Sequence, residues 1–101
     1  MTDIVLPPDL IALQRAVYTA EAAVEAHRRR VDARRRAEAV VVKDGPRPTL
    51  PPWSPAEDAE HERLMAELRV AAEARRAGLL ASGLGGAYDV VQALHREARQ
   101  A

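Results

Sequence analysis

The stretch HRRRVDARRRAEA, from His27 to Ala39, carries the densest chemistry in the chain, with six arginines inside nine residues. Guanidinium groups gathered this closely can grip phosphates or pair with carboxylates as planar two-pronged donors. A complementary run, EDAEHE from Glu57 to Glu62, lies across a proline-rich segment. The basic block is therefore either a nucleic-acid edge or half of an internal charge pairing.

Helical phase separates the two readings. With Val24 and Val31 at heptad position a, His27 and Arg34 fall at d, Arg28 and Arg35 at e, and Arg30 at g. Only Arg29 and Arg36 fall at f, pointing away from the seam. Folding the chain into a hairpin then makes a charge zipper of Arg28, Arg34 and Arg35 against Asp58 and Glu62. The register that satisfies charges and apolar layers together pairs Leu13 with Leu79, Val24 with Leu68, His27 with Met65 and Arg34 with Asp58. Such pairs specify antiparallel alignment more than they add stability. The alternative use of the block is a phosphate-contacting edge of Arg29, Arg36, Lys43 and Arg47. Fifteen basic and fifteen acidic residues cancel to zero net charge, and no aromatic is interleaved with the arginines, so nucleic acid is the less favoured partner.

Other chemistry is sparse. Asp58 and His61 stand three apart on a helix, a spacing used by carboxylate and imidazole in di-iron helical sites. EDAEHERLM resembles the metal-binding helix of encapsulated ferritin-like hairpins, and that resemblance would imply a metal-binding hairpin. Here Asp58 replaces the expected Glu, and only Glu38 offers an opposing carboxylate, so the chain is expected to bind no metal. There is no Gly-rich phosphate loop, nucleophile elbow or Ser/His/Asp arrangement. The sequence predicts no catalytic residues, no cofactor and no small-molecule substrate.

The elements that position these residues follow from composition. The chain has 101 residues, 21 of them alanine, with no Phe and no Cys. That is one domain, with many good helix formers and little side-chain bulk. LPPDL opens a first helix, expected over about 8–42, with Pro7 or Pro8 in the first turn. Leu10, Leu13, Val17, Ala20, Val24, His27 and Val31 trace its heptad seam. Five prolines from Pro46 to Pro55 make residues 43–53 a stiff connector, with Leu50 and Trp53 expected against Val40–Val42. Ser54, Pro55 and Glu57 form a capping-box signal for a second helix over about 55–82. Gly83 suits a left-handed cap. A third helix over about 87–100 shows a stripe of Ala87, Val90, Val91, Leu94 and Ala98. The expected fold is all-α: a long antiparallel helical hairpin whose short third helix packs near the open end.

LPPDLIALQRA, with the Ala/Arg-rich body behind it, resembles small uncharacterised helical proteins of actinobacteria. The resemblance covers chiefly the first helix and implies a helical bacterial cytoplasmic protein, with no particular activity. No apolar run is long enough to cross a membrane and no signal peptide is visible, so a cytoplasmic location is expected. The expected function is a non-enzymatic interaction or adaptor protein, acting through self-association or a partner's helix. Its expected contact residues lie beside the seam: Ile11, Tyr18, Leu64, Leu80, Val91 and Leu94.

Overall fold

A computed structural model describes residues 4–41, 45 and 47–100. It is all-helical: α1 (Pro8–Ala37), α2 (Pro55–Ser82) and α3 (Tyr88–Arg99). α1 and α2 form a long antiparallel hairpin, and α3 folds back onto α1 near the open end. The molecule is a rod of 65 × 28 × 22 Å.

Local chemistry sets the helix ends. Pro7 is the extended N-cap of α1, Pro8 opens the first turn and Asp9 faces the positive end of the dipole. Arg34, Arg35 and Arg36 occupy the negative end. α2 begins with a complete capping box: Glu57 N–H donates to Ser54 Oγ at 3.1 Å, and Ser54 N–H donates to Glu57 Oε1 at 2.7 Å. It ends at Gly83, whose φ of 76° is costly for any residue with a Cβ.

α1 stops at Ala37, five residues short of the expected Val42. Val40 instead exchanges two backbone hydrogen bonds with Thr49, at 3.0 and 2.9 Å, in an isolated antiparallel bridge. Val40 and Val41 are β-branched and favour this extended path. The connector's apolar residues also pack differently from expectation. Leu50, Val40 and Val41 are exposed. Trp53 sets its ring edge against His27 and His61, with centroids 5.7 and 5.5 Å away, and Val42 lies outside the described residues.

The seam of α1 is buried at Leu10, Val17, Val24 and Val31, which are seven residues apart, and at His27. Gln14 is buried as well, while Leu13 and Ala20 are half-buried. The core proper lies at the open end, where three helices meet. Leu6, Leu10, Val90, Ala93 and Leu94 form it, with Ile4, Ile11, Leu13, Leu79 and Leu84 packed around. Polar contacts fasten α3 to α1. The Arg15 guanidinium donates to the carbonyls of Ala98 at 3.2 Å and Gln100 at 2.6 Å, closing the C-terminal turn of α3. Tyr18 Oη bonds His95 Nδ1, and Arg99 lies over the Tyr18 ring. Tyr88, at the start of α3, is exposed.

Candidate functional site

The arginine block splits, but along a different register from the one expected. Arg34 is the residue that crosses the hairpin. Its Nε and Nη2 grip the two carboxylate oxygens of Glu57 at 2.7 and 2.6 Å, and Nη2 also donates to the Pro52 carbonyl at 3.0 Å. Glu38 takes Nη1 at 2.6 Å. The guanidinium beside Glu57, with the Ser54 N–H, holds the Glu57 carboxyl down to about 2 from an ordinary 4.5. The same pairing raises Arg34 further above its already high value.

Asp58, the expected partner of Arg34, is exposed, as are Glu62 and Arg28. None of the three joins an ion pair among the described residues. Arg35 donates to the Pro51 carbonyl at 2.7 Å and lies 3.7 Å from Asp32, so it binds the connector and its own helix rather than Glu62. His27 donates from Nε2 to the Glu57 carbonyl at 2.9 Å and stacks near His61, one turn from the expected Met65. The zipper is thus a single buttressed pair at the helix start, because the capping box already fixes the Glu57 carboxylate there.

The outward arginines lie where phase places them. Arg29 is exposed and pairs with Glu25 on its own helix at 3.1 Å. Arg36 and Arg47 are exposed, and Lys43 lies outside the described residues. Asp58 faces solvent while His61 faces Trp53 and His27. Among the described residues no three metal-ligating side chains converge.

Two of the six expected contact residues are interior. Leu94 is 1% exposed in the three-helix core, and Leu64 is the one buried residue of α2. Ile11 packs on the core, Tyr18 is tied to His95, and Val91 is half-buried. Only Leu80 stands free, at 72% exposure. The heptad frame of α2 therefore has Leu64 facing in, which turns another set of residues outward.

That outward set is a second seam. Ala59, Ala66, Val70, Ala77 and Leu80 follow the alternating three- and four-residue spacing of a helix contact face, with Arg63 and Glu73 at the intervening positions. Val70 is 67% exposed. Ala66, Val70 and Ala71 line a shallow apolar depression. Arg63 bridges Glu60 and Glu67 beside it, and Glu60 is held below the usual carboxylate range by that guanidinium. A seam of alanines with one valine and one leucine allows close approach of a second helix. The sequence does not single it out, because one α2 face is enough to satisfy the hairpin.

Comparison with protein-family models, curated proteins and solved structures finds no match to the chain.

Proposed function

We propose that this chain is a non-enzymatic helical-hairpin interaction protein that self-associates through the outer seam of α2. The observation carrying the reading is the exposed seam centred on Val70 and Leu80. The shape of the molecule supports it. Its radius of gyration is 19.6 Å, against about 13 Å for a compact domain of this length. Its accessible surface is 7497 Å², against about 5,600 Å² for a compact monomer of this mass. A rod two helices wide cannot bury both faces of α2. A second copy laid along the outer seam converts the hairpin into a four-helix layer of ordinary thickness.

Sedimentation equilibrium from nanomolar to high micromolar protein tests the proposal. The expected result is a mass that rises with concentration, and a monomer mass throughout for the double variant Val70→Glu, Leu80→Glu. Both positions are exposed, so the substitutions leave the fold intact. A monomer mass for the native chain at every concentration overturns the reading.

A further inference from the structure

α3 packs on α1 and its backbone does not approach α2, so a cleft of about 370 Å³ remains between them. That is within the size range of small-molecule pockets. Gln14 of α1 forms its floor, and Leu79, Val91 and Leu94 provide apolar walls. The polar equipment is one-sided. Arg75 Nη1 donates to Gln14 Oε1 at 3.1 Å. A guanidinium can only donate, so this bond fixes the amide orientation and leaves the Gln14 NH2 group on the other side. That nitrogen is buried and has no hydrogen-bond partner. Arg75 and Arg76 both line the cleft, and neither has a carboxylate in ion-pair range among the described residues. Buried donors without acceptors are uncommon because they forfeit the hydration they had in the unfolded chain.

Three sets of donors beside apolar walls call for an acceptor with an apolar body. Glu73 contributes the one acidic group at the cleft, and its exposed position keeps it in solvent. His95, also lining the cleft, has Nδ1 engaged by Tyr18. Two guanidinium groups outweigh one carboxylate, and the balance favours an anion. We propose that this cleft is a binding site for an apolar monocarboxylic acid. Its carboxylate lies against Arg75, Arg76 and the Gln14 amide nitrogen, and its hydrocarbon body covers Leu79, Val91 and Leu94. Glu73 borders both surfaces, while the residues assigned to the ligand lie off the outer seam of α2.

The test is an NMR titration of the full chain with octanoate, with octanol as the uncharged probe of equal length. The Gln14 side-chain NH2 pair reports the proposed contact directly. The expected result is saturable binding of octanoate that shifts the Gln14 pair and the backbone amides of Val91 and Leu94. Octanol should bind at least about tenfold more weakly, since it lacks the charge-assisted bonds. Arg76→Met, at an exposed position, should weaken octanoate about tenfold while leaving the apo spectrum otherwise unchanged. Equal affinity for octanol, an unaffected Gln14 pair, or no saturation below about 10 mM, a Kd range worth less than about 3 kcal/mol, overturns the proposal.

Discussion

The two ends of the hairpin are held by different physics. At the connector end only two helices meet, and the contacts are directional: the Ser54–Glu57 capping box, the two-pronged Arg34–Glu57 pair and the His27 bond to the Glu57 carbonyl. At the open end α3 and the start of α1 bury Leu6, Leu10, Val90, Ala93 and Leu94, with Leu79 of α2 packed alongside. Two helices rich in alanine and arginine cannot surround an apolar volume, so register there depends on hydrogen-bond geometry. A third helix closes the volume, and burial takes over. Each buried aliphatic side chain contributes about 1.5–3 kcal/mol, whereas a single surface ion pair contributes about 0–1 kcal/mol. The open end is accordingly the anchor, and the connector end is the alignment device.

The strongest way to break this contrast is Leu94→Ala. Leu94 is the most enclosed core leucine, and removing its side chain should cost about 2–5 kcal/mol in urea unfolding followed by circular dichroism. Trp53, the single tryptophan, sits at the far end and should keep its native emission in the absence of urea. A loss below about 1 kcal/mol would mean that the open end does not anchor the fold.

The same contrast explains what the sequence reveals. Local signals are legible: the Ser54–Glu57 box, Gly83 as the cap of α2, and the strict seven-residue spacing of Leu10, Val17, Val24 and Val31. The register of the connector end is not legible. Alanine and arginine layers look alike after a small shift or rotation of one helix, so Arg34 with Asp58 and Arg34 with Glu57 are nearly equivalent on paper. The choice is made by Trp53, which packs its ring edge against both His27 and His61, and by the Val40–Thr49 bridge, which ends α1 early. Both join segments across the connector, and no helical period encodes them. Leu64 is readable as apolar but not as interior, because a straight helix drifts about 20° per heptad and blurs the boundary between seam and flank, while Leu94 lies on the stripe of α3 and its burial depends on where that helix lands. Of the candidate sites, the Arg29 and Arg36 edge follows from phase alone. The cleft over Gln14 depends on where α3 lands.

A sharper comparison comes from acid. Glu57 binds its proton near pH 2 when folded and near 4.5 when unfolded, so the unfolded chain takes up protons first as pH falls. The stabilisation from Glu57 is therefore fully present above about pH 4.5 and declines as pH drops towards 2. Glu57→Gln retains a side-chain oxygen for the capping box but removes the charge facing Arg34. Urea unfolding at pH 7 and pH 3 should show the native chain losing more stability on acidification than the variant, with Trp53 emission reporting the connector end. Glu60, held down by Arg63, leaves a residual slope in both. Parallel pH profiles would show that the Arg34–Glu57 pair does not set the connector end.

The smallest expected effect belongs to the outward arginines. Arg29 is 79% exposed at its side chain and, among the described residues, its ion pair is with Glu25 on its own helix, while Arg36 is exposed. Neither reaches α2, so neither takes part in aligning the hairpin. The double variant Arg29→Ala, Arg36→Ala should change the urea unfolding free energy by no more than about 0.5 kcal/mol, since an exposed pair within one helix contributes little and alanine is the better helix former. Arg34→Ala in the same assay should cost more, because it strips Glu57 of its cross-hairpin partner and releases Pro52 and Glu38. One sequence block would then contain both a residue that aligns two helices and neighbours that leave stability untouched, separated by nothing but helical phase. A loss above about 1 kcal/mol in the double variant would erase that separation, because the outward face would then contribute to the fold through contacts beyond the Glu25 pair.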